Sequence, residues 1–185
     1  CTPLDTLKNM ATSCHLCTLS KGRPQVVFGR GFGGSLMIIG DWPSQEDDRS
    51  GLSLGGKTGE SVVAMVEQVI GISMNDVYLT TLVKCKPALT NNPTSTEWEQ
   101  CFPYLEGEID ALSPRLILTL GEAAFQTLCH TSAPLSSQRG VLHHYKTIPV
   151  IPTYHPTFLA RNPSEKVKVK EDLLKVKALL QGSAQ

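Results

Sequence analysis

The chain has 185 residues, 41% of them hydrophobic and 18% charged, which is enough apolar side chain for one substantial core and a single domain over residues 1–185. Lys+Arg and Asp+Glu both total 17, and zero formal net charge excludes tight nucleic-acid binding driven by bulk charge while leaving room for local basic patches. No apolar run approaches the ~20 residues of a membrane span and no secretory signal is visible, so a cytoplasmic protein without membrane partners is expected. The chain opens at Cys1 without a methionine, and a trimmed natural start is expected.

Thr2 and Pro3 read as the cap and first position of a helix whose stripe is Leu4, Leu7, Met10 and Ala11, ending near Ser13. Cys14-His15-Leu16-Cys17 and Lys21-Gly22-Arg23-Pro24 follow as loops, and residues 25–28 read as a short rim strand. Residues 36–39, Leu-Met-Ile-Ile, form a solid apolar strand of the kind buried in a parallel sheet, stopped by Gly40-Asp41-Trp42-Pro43. Residues 44–57 read as a long polar loop, and long loops in compact domains are usually functional. Residues 59–70 then read as a helix stopped by Gly71.

Residues 77–83 make the next strand, ended by Lys84-Cys85-Lys86-Pro87. After a loop over residues 88–93, Thr94-Ser95-Thr96-Glu97 is a capping box for a helix carrying Trp98, Cys101, Leu105, Ile109 and Leu112, which Pro103 is expected to kink or delay. Residues 115–120 are a third apolar strand, and residues 122–128 a short helix. Residues 141–145 and 148–151 pair as a hairpin around Lys146-Thr147. The last helix, residues 165–180, turns Leu173, Val176 and Leu180 inward and leaves its lysines as a solvated face.

Solid apolar strands alternating with helices predict a three-layer α/β/α domain around a mostly parallel sheet, with ligands beyond the carboxyl ends of the strands. The unusual residues fall on the loops at that end. Among them is Tyr154-His155-Pro156-Thr157-Phe158-Leu159-Ala160-Arg161, where a histidine sits beside a proline at a strand mouth. Leu159 and Arg161 behind it offer an apolar wedge and a cation for phosphate. A His-Pro turn alone is weak evidence, because most such histidines are ordinary surface residues.

Six cysteines without a secretory signal read as metal ligands before disulfides. Cys14 and Cys17 form a Cys-x-x-Cys turn, Cys85 ends a strand, and Cys101 lies two turns into the next helix. Four such thiolates suit either zinc or a 4Fe–4S cluster, and the residues alone do not choose between them. Cys129 reads as packed on an apolar helix face and Cys1 as incidental.

Taken together, Cys-x-x-Cys, Gly40-Asp41-Trp42-Pro43 with Glu46-Asp47-Asp48, Gly56-Lys57, Val83-Lys84-Cys85 and the His155-Pro156 stretch resemble the family-four uracil-DNA glycosylases, over nearly the whole chain. The resemblance implies the uracil-DNA glycosylase fold and a 4Fe–4S cluster on Cys14, Cys17, Cys85 and Cys101, rather than zinc. It implies a base-excision repair hydrolase that flips a uracil or another base out of single- or double-stranded DNA and cuts its N-glycosidic bond. Asp41 and Asp47 would supply carboxylates, and His155 would stabilise the departing base. Leu159 to Arg161 match the family's segment that presses into the DNA groove, and with Lys84 and Lys86, which leave the same end of the sheet, they are expected to form a DNA-binding surface.

The departures lie in the base pocket. Trp42 stands where the family commonly has glycine, Leu54 where it stacks an aromatic on uracil, and Thr81 where it reads the base edge with asparagine. A hydroxyl lacks the paired donor and acceptor of an amide. Two expectations follow: a glycosylase with an altered pocket, or a glycosylase-fold iron–sulfur protein, weak or inactive, that binds nucleic acid or a partner in a repair or replication assembly.

Overall fold

A computed structural model describes residues 3–23, 25–31, 34–87 and 92–182. The expected cap at Thr2, together with Cys1, Pro24 and most of the 88–93 loop, lies outside these residues. Among the described residues no helix is long and apolar enough to cross a membrane.

Six strands form one sheet: β1 (Arg30–Gly31), β2 (Leu36–Gly40), β3 (Val77–Thr81), β4 (Leu116–Leu120), β5 (His143–Tyr145) and β6 (Ile148–Thr153), in the order β1-β3-β2-β4-β6-β5. The four inner strands run parallel and the two edges antiparallel. The apolar runs are explained by burial on both faces. Leu36, Ile38, Leu79, Leu118 and Ile151 pack on one side, and Met37, Ile39, Tyr78, Ile117 and Val150 on the other.

The first face is covered by α3 (Gly56–Ala64), its continuation over Met65–Ile70 and α8 (Lys166–Gly182), through Val62, Val66, Val169, Leu173 and Val176. The second face is covered by α4 (Ser95–Leu112) through Leu105 and Ile109, with α1 (Pro3–Thr12) packed outside it. α5 (Glu122–Leu128) contributes Phe125 to one face and Ala124 and Leu128 to the other. The three-layer expectation holds.

Local differences have local causes. Residues 25–28 do not form a strand; the edge strand is Arg30–Gly31. The expected loop over residues 44–57 contains a helix, α2 (Gln45–Ser50), because Ser44 and Asp47 close a capping box like that of Thr94 and Glu97. α3 starts three residues earlier than expected and widens into a π-helical stretch, Met65–Ile70, which Gly71 ends with a left-handed φ of 80°. α4 runs through Pro103 to Leu112. Two further short helices, α6 (Leu135–Gln138) and α7 (Pro156–Arg161), complete the order.

β2 leads to β3 on one side of the sheet, whereas β4 leads to β6 on the other. Their adjacent carboxyl ends are therefore a topological switch point, where open α/β sheets leave a crevice.

Candidate active site

A cavity of about 120 Å³ opens at that switch point, lined by Asp41, Trp42, Ser44, Asp47, Leu54, Thr58, His155 and Thr157. Both expected carboxylates, His155, Trp42 and Leu54 therefore meet in one place. Thr58 and Thr157 were not singled out from the sequence, since isolated threonines carry no pattern.

Asp41 leaves the end of β2 and crosses to β4's loop. Its Oδ1 accepts the Ala124 N–H at 2.9 Å, in the first turn of α5. The carboxylate stands directly against Gly121, which has φ +100° and where any side chain would collide with it. Burial pushes the Asp41 carboxyl up to about 7; the Ala124 N–H pulls down, and the nearby Glu122 charge adds to the rise.

His155 caps α7. Thr157 N–H points at His155 Nδ1, 3.2 Å away, and Thr157 Oγ1 lies 2.8 Å from the same nitrogen. Nδ1 thus accepts, and in the neutral ring Nε2 carries the proton. Burial lowers the imidazole to about 4, partly offset by the Asp47 charge. At neutral pH the residue is an uncharged N–H donor.

Asp47 has a different occupation from the one expected. Its Oδ2 accepts the Ser44 N–H at 2.9 Å and Oδ1 the Gly55 N–H at 2.6 Å, and the residue is buried. It ties the start of α2 to the start of α3 and supplies negative potential beside His155, with both oxygens already engaged.

Leu54 forms apolar floor beneath Gly40, held at φ 50° while Arg30 Nη2 donates to its carbonyl at 3.1 Å. Trp42 forms a wall, its ring 5.8 Å from that of Trp98 at 51°.

Thr81 does not join the lining as a reader. Its hydroxyl donates to the Val83 carbonyl at 2.6 Å, closing the turn after β3. A buried hydroxyl needs a partner, and this backbone oxygen supplies it.

The expected DNA face divides. Lys84 is 1% exposed; its ammonium pairs with Glu108 and donates to Thr80 Oγ1 at 2.6 Å and to the Thr81 carbonyl at 2.7 Å. Glu108 also accepts from Tyr78 Oη at 2.6 Å. A buried ammonium requires such partners, so Lys84 is a core residue and not a phosphate contact. Leu159 is likewise buried, in the core beneath α7, and cannot press into a groove; the large apolar residue that helix exposes is Phe158, stacked on Tyr154. Arg161 is exposed and Lys86 half-exposed, as a DNA face requires.

A second cavity gathers all four expected cysteines, Cys14, Cys17, Cys85 and Cys101, with Arg23 and Tyr104 beside them. Cys129 lies apart, against the core. Among the described residues no three His, Cys, Asp or Glu side chains converge at single-ion distance. Burial raises the Cys85 thiol, opposed by Arg23, and pushes Cys101 up to about 12, opposed by Lys84; the other cysteines add to both rises.

The sequence profile of the uracil DNA glycosylase superfamily matches residues 28–180. The chain belongs to the uracil-DNA glycosylase superfamily. Its relatives include the type-4 uracil-DNA glycosylase of Saccharolobus solfataricus, 32% identical over 96% of this chain and 86% of that protein. The corresponding protein of Sulfurisphaera tokodaii is 30% identical over 95% of this chain and 84% of its own length. A DNA polymerase of Bacillus phage SP01 is 26% identical over 90% of this chain but only 18% of the polymerase. The superfamily match spans both the base-pocket residues and two of the four cysteines.

Proposed function

We propose that this protein is a DNA glycosylase of base-excision repair that takes a flipped-out uracil into the cavity at the switch point and hydrolyses its N-glycosidic bond. The observation that carries this reading is a neutral, backbone-anchored His155 facing the same small cavity as the half-buried Asp41. As the bond from C1′ to the base nitrogen lengthens, electrons move onto the base and positive charge grows on the sugar. His155 Nε2–H donates to the oxygen of the departing base without first giving up a charge, which is the preorganised donor such a step needs. Ionised Asp41 stabilises the sugar cation and aligns the water whose oxygen joins C1′; the water's proton passes to Asp41 or solvent.

With Thr81 engaged elsewhere, the base edge meets the Thr58 hydroxyl and whatever capacity is left on Ser44, whose hydroxyl accepts the Asp47 N–H, and on Thr157, whose hydroxyl contacts His155 Nδ1. Rotatable hydroxyls discriminate less than an amide, so excision slower and less selective than the family's is expected. DNA is held along Lys86, Phe158 and Arg161, with residues 1–185 acting as one domain.

The thiol cavity fits a 4Fe–4S cluster. Four cysteines line one cavity, the ligand number a 4Fe–4S cluster takes, and the resemblance to the family-four glycosylases favours that cluster over zinc. Cys101 Sγ also accepts the Lys84 N–H at 3.2 Å, a contact that stabilises a ligating thiolate. When bound, the cluster would tie the N-terminal turn, the end of β3 and α4 together; it supplies no step of the hydrolysis.

The relation to part of a DNA polymerase favours a second reading, a binding module in a replication assembly. One experiment separates them. Purified protein is incubated with single- and double-stranded DNA carrying one uracil, and abasic sites are revealed by alkali. Excision abolished by His155→Ala supports the enzyme; none above the variant, with DNA binding retained, supports the module.

A further inference from the structure

Arg23 enters the thiol cavity from the loop after Cys17. Its Nη1 donates to Cys85 Sγ at 3.1 Å and its Nη2 to the Cys14 carbonyl at 2.5 Å. One planar guanidinium thus joins the Cys-x-x-Cys turn to the segment after β3, across 62 residues of chain. The other cation at this cavity, Lys84, directs its ammonium to Glu108. Among the described residues no carboxylate pairs with Arg23, so its charge is turned on the thiols. Tyr104 lines the same cavity.

We propose that Arg23 tunes and retains the iron–sulfur cluster, raising its reduction potential and slowing its loss. The proposal rests on the 4Fe–4S reading above. Added electrons make a thiolate-ligated cluster more negative. A fixed positive charge and an N–H···S hydrogen bond favour that reduced form, so the potential rises. The fork geometry does separate work: it holds two ligand-bearing segments at once, which a point charge on a flexible stem does not. Charge and fork therefore predict different effects for different substitutions.

The holoprotein, Arg23→Lys and Arg23→Met are purified, and iron and sulfide are counted. The potential is measured by spectroscopic titration with dithionite as electron donor, and cluster loss by the rate of iron capture by a chelator. Arg23→Met is expected to shift the potential downward and to release iron about tenfold faster, the usual cost of removing an outer partner of a ligand. Arg23→Lys is expected to keep most of the potential but release iron nearly as fast as Arg23→Met. If Arg23→Met does not load, retention is supported and Arg23→Lys supplies the potential. Iron present in all three with parental potential and release overturns the role of Arg23 alone. Zinc in place of iron in the parent overturns the cluster reading and this proposal together.

Discussion

The thiol cavity and the base pocket lie beyond the same end of the sheet, yet they treat their polar residues in opposite ways. At the thiol cavity, residues from α1's end, the turn after β3 and α4 all point inward, and the surroundings give them donors: Arg23 to Cys85, Lys84 N–H to Cys101. At the base pocket, several polar residues are spent on the backbone. Asp47 closes the α2 capping box and holds the Gly55 N–H before α3, and Thr81 closes a turn. What remains for a ligand is narrow: Asp41, the Nε2 edge of His155, the Thr58 hydroxyl and the capacity left on the Ser44 and Thr157 hydroxyls, which already contact the Asp47 N–H and His155 Nδ1. The contrast separates machinery from recognition. Under the proposed mechanism, the groups assigned to move charge, Asp41 and His155, face the cavity, while Thr81, expected to read a base edge, does not.

The largest effect is expected where the thiol cavity is broken. Cys101→Ser removes a buried donor from α4, and the purified protein should lose nearly all iron and much of its soluble yield. Retained colour and iron would show that the four thiols do not act as one site. Next comes the ion pair between that cavity and the sheet. Lys84→Ala leaves Glu108 buried without its ammonium, a loss of about 3–5 kcal/mol by urea denaturation. Lys84→Met with Glu108→Leu removes both charges and should recover most of that loss. A surface lysine would give neither result.

Lys84 also shows where sequence reading stops. Its place beside Cys85 at a strand end marked it as a phosphate contact, because nothing in the sequence reports that Glu108, 24 positions away on α4, comes to lie over Thr80. The strands were legible because burial on both faces leaves unbroken apolar runs. The four cysteines and His155 were legible because their spacings are specific. Asp47 was seen as a pocket carboxylate, and it does line the pocket, but Ser44-x-x-Asp47 is also a capping box in an acidic stretch that reads as loop. Leu159 was expected outside; the helix period of α7 puts Phe158 there. Arg23 carries no signal at all, since a long side chain's target is set by tertiary folding.

His155→Ala tests the machinery side of the contrast. Removing a preorganised donor to the leaving base should lower uracil excision about 100- to 1,000-fold. Affinity for uncut DNA should stay near that of the parent, because the contact strengthens only as the bond breaks. Equal losses of binding and turnover would make His155 a binding residue instead.

The smallest effect, and the sharpest for the pocket, is in the pH dependence of stability. Asp41 is raised from an ordinary 3.8 to about 7, so between those values the folded state keeps a proton that the unfolded chain has released. Its contribution therefore falls as pH rises through that window. His155 is lowered from 6.5 to about 4, so there the unfolded chain holds the extra proton and stability rises with pH. From about pH 4 to 6.5 the two contributions oppose each other and largely cancel in the parent, with Asp47 and Glu122 as the other charges acting on the pair. Each substitution should unmask the partner. Asp41→Asn should make Tm climb more steeply with pH than the parent over pH 4.5–6.5. His155→Gln should tilt the same plot the other way. Parallel plots for the two variants would mean that Asp41 and His155 titrate in the folded protein as they do in the unfolded chain, and the raised carboxyl and lowered imidazole assigned to the pocket would fall with them.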